Sequence, residues 1–194
     1  MVICGILLDT DVFAELKAER VRDSKKISPN RRKELSELLK KRAEKFEIVE
    51  IEPGEIDQLR GEGTNLNQIE AIGFARVLNR LNPETVYVDS ASANTEMFAD
   101  QIYELLDEDM ELIVEHEADV KYLPVSAASI IAKVRRDERI EELKEKYGEM
   151  GSGYPADDRT IQFLKKWVKE HKELPTFARQ SWKTAQRIMS ENEE

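Results

Sequence analysis

TVYVDS, residues 85–90, is a short run of β-branched and aromatic residues that ends directly on a carboxylate. It reads as a strand running straight into Asp89. Residues 112–114 repeat the pattern, a second strand that runs into EHEAD with Asp119 just beyond it. Helical periods surround these strands. Ala71, Phe74, Ala75, Leu78 and Leu81 stripe one helix, stopped by Asn82-Pro83, and Phe98, Ile102, Leu105 and Leu106 stripe the next. Upstream, residues 2–8 are a continuous apolar run, and FEIVEI (46–51) alternates as a half-buried strand ended by Pro53-Gly54. Ser28 caps a helix with Pro29 at its first position, and Leu35, Leu38, Leu39, Ala43 and Phe46 keep its apolar face. Downstream, a helix spans roughly 125–147. Its first half, VSAASIIAKV, is small and apolar, as where another element packs closely. GEMGSGYP (148–155) is a loop, and two or three helices close the chain. Alternating strand and helix predicts an α/β fold with a helical C-terminal part. The expected organisation is a core over 1–147, with 148–194 packed on the same domain.

The chain has 194 residues, 40% hydrophobic and 36% charged, so it buries a core beneath a heavily solvated surface. That excludes disordered and collagen-like classes. No apolar run reaches the length of a membrane span, and no basic-then-apolar leader opens the sequence. A single cysteine, Cys4, excludes an internal disulfide and a cysteine-built zinc site, and reads as an inert buried thiol. These features suit a cytoplasmic protein. Net charge is −10, yet residues 17–45 hold 12 Lys or Arg against 5 Asp or Glu, and residues 159–187 hold 8 against 2. Two basic stretches on an acidic body mark either a polyanion footprint or ordinary solvated helix faces.

The chain has no GxxxxGK[ST] phosphate loop, no GxGxxG turn after a strand, no HExxH and no GxSxG. With only His116 and His171, a histidine-based metal site lacks ligands, and His116 reads as a hydrogen-bonded structural residue. Carboxylates at strand ends remain. In an α/β sheet such positions project into the crevice where ligands bind. Asp89 and Asp119 meeting there can hold magnesium or manganese, which prefer oxygen ligands. The plainer reading makes Asp89 a cap of the following turn and Asp119 a loop residue.

Read in order, RDSKKISP (22–29), NLNQIEA (65–71), YVDS (87–90), HEADVKY (116–122), SAASIIAKVRRD (126–137), GSGYPADDRT (151–160) and SWKT (181–184) resemble type 2 ribonuclease H (RNase HII) in its archaeal form. The resemblance covers nearly the whole chain. It implies a ribonuclease H-like mixed sheet flanked by helices. It also implies a metal-dependent endoribonuclease that cuts the RNA strand of RNA–DNA hybrids and single ribonucleotides in duplex DNA, leaving a 3′-hydroxyl and a 5′-phosphate. The family uses four carboxylates and two divalent ions, Mg2+ or Mn2+. By resemblance Asp89 is the third carboxylate and Asp119 the fourth, both catalytic and metal-binding. Lys25 matches a phosphate-contacting lysine, Asn67 a substrate-side asparagine, and Tyr154 the tyrosine that stacks on the deoxyribose beside the ribonucleotide. A ring packed on a sugar complements the 2′-hydroxyl contact by which RNA is told from DNA.

The sequence departs from the family at its first strand. There the family runs into D-E-A-G-R-G, which supplies the first two carboxylates, and that string occurs nowhere here. The stretch from Met1 to DSKK matches the family from its second strand onward. A second registration takes MVICGI as the first strand with the loop deleted, asking Asp9 or Asp11 to substitute. The expectation is that roughly 15–20 N-terminal residues, a strand and its loop, are lacking through a late start codon or a shortened clone. The rival is a catalytically dead descendant that binds hybrids without cutting them. Either way the first strand is expected to be absent and the chain nearly inactive. Glu117 stands where the family usually has lysine, and Pro124 sits one place late. Trp167, Phe163 and Leu164 read as core, and Lys133, Arg136 and Asp137 as either an ion pair or a substrate approach. QRIMSENEE lacks the paired aromatics of a sliding-clamp peptide, so no clamp contact is expected through this tail. The expected state is a monomer with no membrane association.

Overall fold

Short β-branched runs become strands where the reading placed them. The computed structural model describes residues 1–21 and 27–193. Strand β1 is Val2–Leu7, β2 is Lys45–Glu50, β3 is Thr85–Asp89 and β4 is Glu111–Glu115. β1 and β2 pair antiparallel, with Val2 opposite Glu50 and Leu7 opposite Lys45. β3 and β4 pair parallel, with Thr85 opposite Glu111 and Asp89 opposite Glu115. Among the described residues these are two separate two-stranded ladders. The helices are α1 (Phe13–Ala18), α2 (Pro29–Arg42), α3 (Pro53–Gly61), α4 (Leu66–Leu81), α5 (Thr95–Tyr103), α6 (Ala118–Lys121), α7 (Leu123–Tyr147), α8 (Asp158–His171) and α9 (Lys183–Glu193).

Local chemistry accounts for the helix ends. Ser28 Oγ accepts the Arg31 N–H at 3.3 Å, with Pro29 in the first turn of α2. Asn82 takes the left-handed conformation, φ 48°, and its N–H closes α4 onto the Leu78 carbonyl. Pro53-Gly54 does more than end a strand. Pro53 opens α3, where a missing N–H costs nothing because that group has no partner inside the helix. The sequence reading missed this helix.

The chain divides into two compact units. One comprises residues 2–50 and 66–135, and the other residues 1, 51–65 and 136–194. The first unit contains all four strands and two apolar cores. Leu16, Val21, Leu35 and Leu39 pack with Ala127, Ile130 and Ile131 in one. Ala71, Leu78, Val86, Val88, Phe98 and Ile102 form the other. The small residues of VSAASIIAKV are thus the part of α7 that packs closely. Cys4 is buried, and burial pushes its thiol up to about 12, so it is an inert apolar residue. In the second unit α8 and α9 close on Leu164, Val168, Leu174, Ala185 and Ile188, with Phe163 packed against them. Trp167 meets Tyr147 and Phe177 edge to face at 5.6 and 5.5 Å, as core packing requires.

A cavity of about 370 Å3 lies in the first unit, lined by β1 and β3 along their lengths and by one face each of α4 and α7. β1 also presses on α4. A Cβ on Gly5 would stand 2.5 Å from Val77 Cγ1 and 2.6 Å from Leu81 Cδ1, inside van der Waals contact. Gly5→Ala should therefore destabilise the fold by about 1–3 kcal/mol through overpacking. Urea unfolding checks this, as a lower midpoint at unchanged slope.

Candidate metal and nucleic-acid site

β3 delivers Asp89 at its C-terminal end, level with Glu115 at the end of β4. Glu117 then adopts a left-handed backbone, φ 55°, turning the chain from β4 into α6. That turn aims the Ala118 N–H at Asp89, whose Oδ1 accepts it at 3.0 Å. His116 Nδ1 donates to the Ser90 carbonyl at 3.0 Å, tying the same two segments a second time. His116 is hydrogen-bonded, as its reading expected. Asp119, next to Ala118, is buried, 8% exposed, on the short helix α6 rather than in a loop. The local reading of Asp89 also has substance, since it does hold a backbone N–H. The partner comes from the HEAD segment rather than from the turn after β3.

Two further residues converge here. Asn67, at the start of α4, donates through Nδ2 to Ser92 Oγ at 3.2 Å, and so holds the loop beyond Asp89. Glu70, one turn on, lines the cavity with Asp89. Burial, and then the negative charge of Asp89, raise its carboxyl above the ordinary value. Sequence reasoning did not single out Glu70. Its signal was present in NLNQIEA, where Asn67 and Glu70 stand at i, i+3 on one helix face. Lys25 lies outside the described residues. Asp9 accepts the N–H of Asp11 at 3.0 Å, a local capping role.

Carboxylate oxygens suit a hard divalent cation, and Mg2+ is commonly held by one or two of them together with substrate phosphate. Among the described residues no group of three or more His, Cys, Asp or Glu is arranged to hold a metal ion. The donor set fits such an ion in kind, and falls short of a two-ion centre in number.

Tyr154 belongs to the other unit and is 54% exposed. The Arg136 guanidinium lies 3.8 Å from its ring centroid, and Arg136 Nη2 donates to the Ser152 carbonyl at 2.7 Å. Arg136 thus braces the GSGYP loop, in addition to its exposed pairing with Asp137. Asp157 secures the other side, accepting the Ser152 N–H at 2.8 Å and the Arg159 N–H at 3.0 Å. Gly151 has φ 72°, and a Cβ there would come within 2.9 Å of the Thr160 backbone nitrogen, so only glycine fits. The basic stretches are partly self-paired. Arg31, Lys40 and Arg42 meet Glu19, Glu37 and Glu15, and Lys165 meets Glu191.

A strand-end carboxylate tied to a second acidic segment, in an α/β unit, is an arrangement that metal-dependent hydrolases of the nuclease class use. The Ribonuclease HII family model matches residues 1–185. Ribonuclease HII of Thermococcus sibiricus is 44% identical over 190 residues, covering 97% of this chain and 84% of its own length. Ribonuclease H2 from Pyrococcus horikoshii superimposes with a TM-score of 0.88 at 36% identity, covering 100% of both chains. RNase HII from Archaeoglobus fulgidus, solved in complex with PCNA, gives 0.85 at 38% identity over 96% of this chain and 88% of that one. The chain belongs to the ribonuclease HII family, and is a type 2 ribonuclease H, a metal-dependent endoribonuclease acting on RNA–DNA hybrids. The ribonuclease H-like α/β fold expected from its motifs is the fold it has. Among the described residues no helix is long and apolar enough to cross a membrane.

Hydrogen bonds from Arg159 and Ser152 hold the Asp157 carboxyl well below the usual carboxylate range. A depressed folded-state pKa stabilises above the unfolded value and is lost as pH falls toward the folded one. Asp157→Asn should therefore be less stable than the parent at pH 7. The gap should shrink as pH falls from about 4 toward 2, in urea midpoints measured across that range.

Proposed function

We propose that Asp89 and Asp119 are the metal-binding, catalytic carboxylates of this chain, and that they supply part of a centre for Mg2+ or Mn2+. The observation that carries this is the Ala118 N–H to Asp89 hydrogen bond, which brings the segment bearing Asp119 to the end of β3. Divalent ions held by Asp89 and Asp119 would supply an activated water and stabilise the leaving oxygen. The protein's own part is to hold the acids at the strand ends and to seat the substrate. Asn67 orders the loop beside Asp89, Lys25 meets a phosphate, and Tyr154 packs against a deoxyribose. The basic residues of 17–45 and 159–187 left over from internal pairing track the backbone.

The substrates are the RNA strand of hybrids and single ribonucleotides in duplex DNA, cut to a 3′-hydroxyl and a 5′-phosphate. The protein works as a monomer in the cytoplasm, without clamp contact through its C-terminal tail. Two carboxylates are too few for two ions, so this chain by itself is nearly inactive and lacks the D-E-A-G-R-G carboxylates. That shortage also favours a second reading, a hybrid-binding protein that does not cut.

A duplex carrying one ribonucleotide, incubated with Mg2+ or Mn2+ and either this chain or a version extended upstream by a strand ending in D-E-A-G-R-G, separates the readings. Cleavage by the extended form alone is expected. Binding without cleavage by both forms would establish the binding protein instead. Asp89→Asn in the extended form should abolish cutting, a loss of about a hundredfold or more if the carboxylate stabilises the transition state. Tyr154→Ala should depress cleavage at single ribonucleotides more than cleavage of continuous hybrids.

A further inference from the structure

An aromatic ring has two faces, and in the second unit one face of Tyr154 is taken. The Arg136 guanidinium carbon stands 3.8 Å from the ring centroid, within cation–π contact, and only 23% of the Arg136 side chain is exposed. Tyr154 is still 54% exposed, so its free surface is the opposite face and the rim. A sugar can meet the ring only from that side.

Arg136 suits this place by shape as well as by charge. Its Nη2 donates to the Ser152 carbonyl at 2.7 Å while the guanidinium carbon stays over the ring, so one group meets the loop at two points. A planar, forked guanidinium does both at once, whereas a lysine ammonium is a point charge on a flexible stem. The loop is built to receive it. Gly153 has φ 71°, and a Cβ there would stand 2.5 Å from Ile140 Cδ1 and 3.3 Å from Arg136 Nη2. Arg136 and Ile140 stand at i, i+4 on one face of α7, and the bare glycine lets the loop lie against that face.

The rest of the loop is held through its backbone. The Gly153 N–H donates to Thr160 Oγ1 at 3.0 Å, and the Asp157 N–H to the Tyr154 carbonyl at 3.1 Å. Those bonds fix the chain on both sides of Tyr154, but the orientation of its exposed ring depends on Arg136. Orientation matters because ribose and deoxyribose differ by one oxygen. A ring held against a deoxyribose leaves no room for a 2′-hydroxyl, while a ring free to swing aside admits one. Selectivity therefore needs a fixed ring, and an aromatic residue alone does not supply that.

We propose that Arg136 is a positioning residue that sets substrate preference. It pins the Tyr154 ring in one orientation, and so favours a ribonucleotide followed by a deoxynucleotide over continuous RNA. The proposal rests on the reading of Tyr154 as the residue that packs against a deoxyribose.

The full chain and its variants are titrated into two labelled duplexes, DNA carrying one ribonucleotide and a continuous RNA–DNA hybrid. Magnesium and manganese are left out so that neither is cut, and fluorescence anisotropy gives the ratio of the two affinities. Arg136→Lys keeps the charge, yet should lower that ratio about fivefold or more by uncovering the ring. Tyr154→Ala should lower it as far, and the double variant no further. A lowered ratio in Tyr154→Ala with an unchanged one in Arg136→Lys overturns the role of Arg136 alone, as do additive losses in the double variant. An unchanged ratio in Tyr154→Ala overturns the sugar-packing reading, and this proposal with it. A second measurement needs no Arg136 variant. In the unsubstituted protein the Arg136 side-chain protons should resonate upfield, shielded by the Tyr154 ring, and should return to ordinary positions in Tyr154→Ala. Unshifted protons overturn the proposal, whatever the folding of the lysine variant.

Discussion

The hydrogen bond from the Ala118 amide to the Asp89 carboxylate joins segments twenty-nine residues apart in the chain. It fixes where the segment bearing Asp119 meets the end of β3. α6 has only four residues, too few to stand as an isolated helix, so its position must come from tertiary contacts. The parallel ladder brings Asp89 and Glu115 level, the left-handed Glu117 reverses the chain, and His116 adds a second tie to Ser90. Asp119 is buried in consequence, where solvent screens its charge weakly. Glu70 shares the acidic end of the cavity, where burial, and then the charge of Asp89, raise its carboxyl above the ordinary value.

The GSGYP loop of the second unit is stabilised by a different principle. Its backbone N–H groups at Ser152 and Gly153 are satisfied by Asp157 and Thr160, and Thr160 in turn donates to the Met150 carbonyl at 2.8 Å. Arg136 adds a guanidinium over the Tyr154 ring. Tyr154 is therefore presented by a braced loop while its ring remains exposed. The cations of the basic stretches divide their work. Exposed pairs such as Arg42 with Glu15 contribute little stability each, and their net effect is to lower the positive field that the bare residue count suggests.

Much of this was legible in the sequence because it is local. Val, Ile, Thr and Tyr in short runs make strands, Ser28-Pro29 starts a helix, Asn82 stops one, and YVDS places an acid at a strand end. The motifs in their order also carried the family. Pro53-Gly54 misled because the same two residues end a strand and open a helix, and the residues downstream of the pair decide between the two. Asn67, Asp89 and Asp119 were singled out from motifs, whereas Glu70, inside the same NLNQIEA stretch as Asn67, drew notice only through its neighbours in space.

The sequence by itself determined the elements, their caps, the apolar content of each face and the supply of carboxylates, since each arises from interactions within a few residues of chain. Tertiary structure alone decided that Ala118 meets Asp89, that Asn67 meets Ser92, that Arg136 covers Tyr154, and that β1 and β3 border one cavity. Those contacts join residues far apart in the chain, and they depend on how helices pack against strands, which no local periodicity encodes.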